Sequence, residues 1–150
     1  MVMQIPSNVT PIDSVAVIIY FENNDLLMQL RDKKSGIFYP NYWCLFGGAI
    51  ENNETPLKAI SREIKEEISI KKNNFKFFSD LILDFSCLGH RSNVLRKYFL
   101  LKISDDDFKN INLNEGQNYR IFSREEIDRI CKIMPFDKFI IDLFFKKFDK

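Results

Sequence analysis

Three glutamates within one predicted helical turn are the residues of this chain best suited to chemistry. Glu63, Glu66 and Glu67 share the arc beside the apolar stripe of that helix. Like charges at this spacing destabilise a helix by roughly 0.2–0.5 kcal/mol per pair, and desolvation beside a core adds to the cost. A divalent cation would offset the repulsion, and carboxylate-only ligands suit Mg²⁺ or Mn²⁺. The alternative interpretation is a solvated acidic face.

The helix that carries these glutamates is predicted from Thr55 to about Ser69. Thr55 is a suitable N-cap, and Pro56 stands at the first helical position. Four apolar residues lie on one narrow stripe that is predicted to face the core: Leu57, Ile60, Ile64 and Ile68. Only Arg62 neighbours the carboxylates, beside Glu66, so we expect nothing in the local sequence to neutralise them.

A short strand and a pair of glycines precede the helix. The strand is predicted over Trp43–Phe46 and is expected to end at Gly47-Gly48, where backbone freedom allows a bend. Such a bend lets backbone carbonyl and N–H groups approach a ligand closely. Glu51 and Glu54 add two carboxylates to the loop that follows. The arrangement is thus a strand, a glycine turn, an acidic loop and an acidic helix.

This stretch resembles the Nudix box of the Nudix hydrolases. The box reads G-x5-E-x7-R-E-U-x-E-E-x-G-U, where U is an apolar residue. The chain matches it with Gly48, with Glu54 and with the run REIKEEISI from Arg62 to Ile70. The run WCLFGGAIE, which begins at Trp43, is also similar to the family's entry strand W-x-L-P-G-G-x-U-E.

Two positions depart from the family's pattern. Ser69 stands where the box has Gly, and Phe46 replaces the common Pro. Gly at a helix C-terminus adopts a positive φ with about 1 kcal/mol less strain than other residues. We expect Ser69 to end the helix in a different way, and the change removes no metal ligand. Activity should therefore survive it.

The resemblance implies an α+β fold, the Nudix α/β/α sandwich with a central mixed sheet, in its MutT-like bacterial form. It also implies a hydrolase that cleaves the diphosphate linkage between a nucleoside and another moiety X. Water attacks a phosphorus, and the products are a nucleoside monophosphate and phosphorylated X, or pyrophosphate when X is phosphate. The motif leaves X unspecified, and sugar nucleotides and (d)NTPs both stay open. The alternative is a catalytically inactive nucleotide-sensing module. The intact glutamates argue against it, because a module without catalysis could lose carboxylates that are costly to hold.

The resemblance also implies a role for each residue of the box. The implied ligands of Mg²⁺ or Mn²⁺ are Glu63, Glu66, Glu67 and the Gly48 carbonyl. Glu54 supports this set, and Arg62 orients the carboxylates by ion pairing. Either Glu67 or a carboxylate outside the box serves as the general base, and the sequence leaves this choice open.

Three residues outside the box are candidates for substrate contact. Arg31 and Glu115 lie in stretches that are similar to the MutT-like branch. Arg31 could contact phosphate, or it could pair with Asp32 or Asp84. Glu115 precedes a predicted strand and could be an extra metal ligand or base, or only a solvated turn residue. Tyr39 belongs to an aromatic loop that could stack on a base or only cover the sheet.

The remaining pattern predicts one domain over residues 1–150, without repeats or linkers. A hairpin is predicted from strands 14–21 and 26–31, with further strands over 75–85, 94–103 and 119–122. A capping box at Ser123 predicts a short helix through Cys131, and helical spacing of apolar residues follows Pro135.

Composition argues against several other functions. Lys and Arg number 22 against 21 Asp and Glu, which argues against a long nucleic acid as partner. The partner that the resemblance implies is a small nucleotide. The cysteines, Cys44, Cys87 and Cys131, form no metal-binding or disulfide pattern. The longest apolar run, Val15–Phe21, is too short to cross a membrane, and a cytoplasmic protein is expected. The 15 phenylalanines leave a homodimer open.

Overall fold

A mixed sheet of seven strands forms the centre of the fold. The structure is a computed structural model that describes residues 10–148. The strands are β1 Ser14–Tyr20, β2 Leu26–Leu30, β3 Trp43–Cys44, β4 Phe46–Ala49, β5 Lys76–Leu83, β6 Val94–Lys102 and β7 Asn118–Phe122. The helices are α1 Pro56–Ile68, α2 Asp105–Lys109, α3 Arg124–Arg129 and α4 Pro135–Phe148, and a 3₁₀ turn spans Ser86–Leu88.

Strand β1 organises the sheet. It pairs in parallel with β6 along its whole length, from Ser14 opposite Arg96 to Tyr20 opposite Lys102. On its other side it pairs antiparallel with β2 and with β4. Strand β2 in turn pairs with β3 and β7, and β5 pairs with β6. The predicted hairpin of β1 and β2 is therefore present.

Helices cover both faces of this sheet. Alternate residues of β1 enter two apolar cores, because successive side chains of a strand point to opposite faces. Helix α1 contributes Ile60, Ile64 and Ile68 to one core, and helix α4 contributes Ile140, Ile141, Phe144 and Phe145 to the other. The predicted α/β/α sandwich with a mixed sheet is confirmed. No helix within residues 10–148 is long and apolar enough to cross a membrane.

The expected bend at Gly47-Gly48 is wrong, because both glycines lie inside β4. This strand pairs with β1, with Val15 opposite Gly48. A Cβ on Gly47, whose φ is +145°, would lie 2.1 Å from the carbonyl oxygen of Val15. A Cβ on Gly48 would lie 2.5 Å from the carboxyl carbon of Glu63. The glycines thus allow close approach of two neighbours rather than a turn.

The apolar stripe of α1 is shifted from its predicted position. Leu57 is 49% exposed, whereas Ala59 and Glu67 are buried. The buried arc is therefore centred closer to the glutamates than the pattern predicted. As a result, Glu67 lies inside the protein and not only at the edge of the core.

Ser69 ends α1 in the conformation that Gly would adopt, contrary to the expectation of a different ending. Its φ is +61°, in the left-handed region, which costs roughly 1–2 kcal/mol for a residue with a Cβ. Asn114 offsets part of this strain, because its side-chain amide donates to the Ser69 hydroxyl at 3.0 Å and to the Glu66 carbonyl at 2.9 Å.

Helix α2 was not predicted, although its start carries a recognisable signal. The Ser104 hydroxyl accepts from the backbone N–H of Asp107, and the Asp107 carboxylate accepts from the backbone N–H of Ser104, which is a capping box. Asp107 also pairs with Lys72 at 2.9 Å. The helix is only five residues long, so no apolar period marks it in the sequence.

Candidate active site

The three glutamates of α1 line one pocket, which we call the acidic pocket. Its volume is about 430 Å³. The pocket lies between α1, β4, the end of β2 and the loop before β7. Its lining residues are Gln29, Arg31, Asp32, Lys34, Ile37, Gly47, Gly48, Ala49, Glu63, Glu66, Glu67, Glu115 and Gly116. The structure therefore brings together Gly48, the glutamates and two candidates from outside the box, Arg31 and Glu115.

Glu67 is the most buried carboxylate of the acidic pocket, with 4% of the residue exposed. One carboxylate oxygen accepts from the Gln29 amide at 3.0 Å, and the other accepts from the Gly47 backbone N–H at 2.9 Å. Burial raises the pKa of Glu67 to about 8, and the nearby charges of Glu63 and Glu115 add to this rise. Sequence reasoning missed Gln29, a buried amide in an otherwise apolar strand.

Glu66 is exposed at the pocket, whereas Glu63 is partly buried. Burial raises the pKa of Glu63, while its hydrogen bond from Arg62 acts in the opposite direction. The charges of Glu66 and Glu115 also raise that pKa. The carboxylates of Glu63, Glu67 and Glu115 therefore repel one another, and a bound cation would relieve the repulsion.

Arg62 bridges the carboxylates of the box. Its Nε and Nη2 donate to the two oxygens of Glu54, both at 2.9 Å, which is a bidentate pair. Its Nη1 donates to Glu63 at 2.7 Å and to Glu66 at 3.2 Å, and Nη2 also donates to the Ala49 carbonyl. The expectation that nothing local neutralises the glutamates is therefore wrong, because Arg62 reaches more than one of them.

The donor set of the acidic pocket fits a hard divalent cation. The available groups are carboxylate oxygens, and the absent Cβ of Gly48 leaves space against the Glu63 carboxylate. Within residues 10–148, no three such groups converge closely enough to hold a metal ion in this side-chain arrangement. The reason is that Glu63 and Glu66 face Arg62, while Glu67 faces Gln29 and Gly47.

Arg31 and Glu115 reach the acidic pocket with few other contacts. The Nε of Arg31 donates to the Phe38 carbonyl at 2.7 Å. Arg31 forms no ion pair with any residue of the described range, neither with Asp32 nor with Asp84. Glu115 is exposed, and its carboxylate accepts no hydrogen bond from residues 10–148. Both charges thus face the pocket without a charged partner in the described part of the chain.

Tyr39 lies outside the pocket. Its ring contacts that of Tyr42, with 5.2 Å between centroids, and its φ is +47°. The neighbouring Phe38 instead lines a second cavity. Contact of Tyr39 with a base stays a prediction.

A second cavity, which we call the apolar cavity, borders the acidic pocket. Its volume is about 320 Å³, and both spaces are lined by Arg31, Ile37 and the β4 segment from Gly47 to Ala49. Its other lining residues are Thr10, Pro11, Ile12, Ser14, Gly36, Phe38, Leu45, Leu83, Phe85, Val94, Arg96, Met134 and Phe136. Sequence reasoning missed this cavity, because its walls come from six separate stretches of the chain.

A buried polar cluster stands behind the apolar cavity. Asp137 is fully buried and accepts from the Leu45 backbone N–H at 2.9 Å, from Arg96 at 3.0 Å and from the Tyr98 hydroxyl at 3.0 Å. Arg96 also donates to Tyr98 and to the Ser14 hydroxyl. A signal was available in the sequence, because Asp137 interrupts the apolar face of α4 that continues with Ile141, Phe144 and Phe145.

Comparison with known proteins agrees with this arrangement. The family model of the NUDIX domain matches residues 10–144. Among solved structures, the MutT protein of Methanosarcina mazei Go1 is 20% identical with a TM-score of 0.74, over 94% of this chain and 98% of that one. A MutT structure from work on Aliivibrio salmonicida and Vibrio cholerae is 20% identical with a TM-score of 0.71, over 91% and 98%.

A third similar structure is the dihydroneopterin triphosphate pyrophosphohydrolase of E. coli. It is 18% identical with a TM-score of 0.66, over 95% of this chain and 97% of that one. At these identities the likeness concerns the fold. Each of the three structures is covered almost completely by this chain.

Proposed function

Because this chain belongs to the Nudix family, we propose that it is a MutT-like pyrophosphohydrolase that depends on a divalent cation. Its substrate is a nucleoside diphosphate joined to X, either a sugar nucleotide or a (d)NTP. The observation that carries the proposal is the acidic pocket, in which the three glutamates of α1 face Gly48 and Glu115. The likeness to a triphosphate pyrophosphohydrolase supports including triphosphates.

The glutamates and one backbone group form the proposed cation site. Its proposed ligands are Glu63, Glu66, Glu67 and the Gly48 carbonyl. When bound there, Mg²⁺ or Mn²⁺ polarises phosphoryl oxygens and lowers the pKa of an attacking water. Arg62 orients Glu54, Glu63 and Glu66 through its hydrogen bonds, and those to Glu54 lower the pKa of that carboxyl.

The proton of the attacking water needs a carboxylate acceptor. Both oxygens of Glu67 already accept hydrogen bonds, from Gln29 and Gly47. Glu115 lines the same pocket, and its carboxylate is free of hydrogen bonds to the described residues. We therefore favour Glu115 as the proton acceptor and assign Glu67 to cation binding.

Arg31 completes the proposed site at its border with the apolar cavity. It is a cation without a carboxylate partner in the described range, and it lines both spaces. A diphosphate that crosses this border would supply the missing negative charge. We assign Arg31 to phosphate binding and not to the chemical step.

A nucleotide screen tests the proposed function. Sugar nucleotides and (d)NTPs are incubated with Mg²⁺ or Mn²⁺, and the nucleoside monophosphate and phosphate products are measured. Turnover of at least one compound is expected, with loss on chelation by EDTA. Absence of turnover of the whole panel with either cation refutes the hydrolase, and binding without turnover favours the nucleotide-sensing alternative.

Substitutions of single carboxylates test the site. Glu63→Gln and Glu67→Gln should each lower kcat by about 100-fold or more. Glu125→Gln is the matched control, because Glu125 is exposed on α3, and its activity should equal that of the wild type. If Glu115 accepts the proton, Glu115→Gln should lower kcat by about 100-fold or more.

A further inference from the structure

The apolar cavity has the size and lining of a ligand site. Its volume of about 320 Å³ lies at the lower end of the roughly 300–1,000 Å³ found for small-molecule pockets. Three phenylalanines from separate elements, Phe38, Phe85 and Phe136, line it. Rings of this kind can pack against a planar group. Since Arg31, Ile37 and the β4 segment from Gly47 to Ala49 line both spaces, a single substrate can reach both.

The charged groups of this cavity are hydrogen-bond donors only. The polar side chains in its described lining are Thr10, Ser14, Arg31 and Arg96, and this lining contains no carboxylate or amide side chain. A guanidinium has five N–H donors and no acceptor. Its two charged side chains, Arg31 and Arg96, therefore present only donors to whatever occupies the cavity.

Arg96 is a donor held in one orientation. Its side chain is 15% exposed, and three of its N–H groups are engaged by Tyr98, Ser14 and Asp137. The other two of its five N–H groups form no hydrogen bond with residues 10–148. Asp137 balances the charge of Arg96 from behind the cavity wall. Arg96 is thus suited to hydrogen bonding with a neutral acceptor and needs no anionic ligand.

We propose that the apolar cavity binds a planar ring of the substrate and that Arg96 selects a ring edge bearing keto oxygens over one bearing an amino group. This inference rests on the proposed function, because the phosphates of the same molecule extend past β4 into the acidic pocket. A keto oxygen accepts from Arg96. An amino group brings N–H against N–H and leaves both donors without a partner in a desolvated site, which is unfavourable.

Pairs of nucleoside monophosphates that differ at this edge test the proposal. IMP and AMP differ by a keto and an amino group on the same purine, and UMP and CMP form the corresponding pyrimidine pair. Binding is measured by calorimetry without added metal, so that it does not depend on turnover. We expect IMP and UMP to bind about tenfold more tightly than AMP and CMP, the discrimination typical of one good arginine–base contact.

Arginine-to-lysine substitutions assign the selectivity to one residue. Arg96→Lys retains a charge for Asp137 but loses the planar fork, so the IMP to AMP affinity ratio should fall to within about twofold of unity. Arg120→Lys is the matched control, because Arg120 is exposed on β7 outside the cavity, and its ratio should stay at the wild-type value.

The possible results separate this proposal from the proposed function. Equal binding of IMP and AMP, tighter binding of the amino compounds, or no binding of any of the four at millimolar concentration overturns it. Selectivity that persists in a folded Arg96→Lys protein also overturns the role of Arg96. If that variant does not fold, the IMP to AMP and UMP to CMP affinity ratios of the wild-type protein test the keto preference. If the protein hydrolyses nucleotides but shows no keto preference, only the present inference is refuted. If it binds keto compounds selectively but turns none over, only the proposed hydrolase function is refuted.

Discussion

Gly47→Ala and Gly48→Ala each add one methyl group to β4. We expect the first substitution to lower mainly the stability of the protein and the second to lower mainly its activity. In Gly47→Ala the new Cβ would lie 2.1 Å from the Val15 carbonyl oxygen and 2.7 Å from the Ala16 Cα, both of which are backbone atoms of the central strand. In Gly48→Ala the nearest atoms, at 2.5 Å, are the carboxyl carbon and one oxygen of Glu63. The first contact involves rigid backbone, and the second involves the end of a flexible side chain.

The magnitudes follow from this difference. For Gly47→Ala, overpacking costs roughly 1–3 kcal/mol and the unfavourable φ roughly 1–3 kcal/mol more, so the free energy of unfolding should fall by about 4 kcal/mol. That is a large part of the roughly 5–15 kcal/mol available to a domain. For Gly48→Ala, movement of Glu63 should limit the loss to about 1 kcal/mol. Displacement of the Glu63 carboxylate by an ångström should instead lower kcat by about 100-fold.

Urea denaturation and initial rates on the best substrate of the screen measure both effects. Gly89→Ala is the control for backbone strain alone, because Gly89 has a φ of +78° and no atom within 4 Å of an added Cβ. It should lose about 1 kcal/mol and retain full activity. The reasoning is refuted if Gly47→Ala is as stable as Gly89→Ala, or if Gly48→Ala is fully active.

Four further predictions concern other parts of the chain. Ser69→Gly should raise the free energy of unfolding by up to about 1 kcal/mol, since Gly avoids the left-handed strain; a decrease in urea denaturation would show that the hydroxyl contact matters more. Burial raises the pKa of Cys44 to about 12, so a thiol reagent at pH 8 should modify the two exposed cysteines of the native protein and Cys44 only in denaturant; three fast-reacting thiols would contradict this. The Ser104 backbone N–H and Lys72 hold the pKa of Asp107 below its usual range, so its stabilisation is present above the unfolded pKa of about 3.9 and is lost as the pH falls through the folded pKa. Asp107→Asn should therefore cost about 1 kcal/mol at pH 7 and almost nothing at pH 2, as unfolding curves at both values can show. Asp137→Ala should lower the free energy of unfolding by roughly 3–5 kcal/mol, because it leaves the Arg96 charge buried without a partner; a thermal midpoint equal to that of the wild type would exclude this role.

The sequence was sufficient to predict the family and the sandwich fold, because the patterns that indicate them are local. The spacing of Gly48, Glu54 and the REIKEEI run lies within one loop and one helix, and Thr55 marks where that helix begins. The apolar run of β1 predicts a buried strand directly, since both of its faces are covered.

The parts that the sequence could not predict depend on contacts between distant segments. Gly47-Gly48 is a strand only because β1 pairs with it, and Arg62 reaches the Ala49 carbonyl only because β4 lies beside α1. The contact between Arg96 and Asp137 joins residues 41 positions apart. No periodicity within a single element encodes such a pairing, so the apolar cavity could not be predicted before the fold was known.

Strand β4 also bears on how the protein avoids assembling with other extended chains. Its Gly47 N–H donates to Glu67 of α1, and two residues earlier the Leu45 N–H donates to Asp137 of α4. The Leu45 N–H lies just before β4 and the Gly47 N–H lies within it, so side chains from the two flanking helices occupy backbone donors at the start of this strand. An approaching peptide strand would find those donors already occupied and could not extend the sheet there. The edge beside the acidic pocket is therefore open to small molecules and closed to β-strand addition.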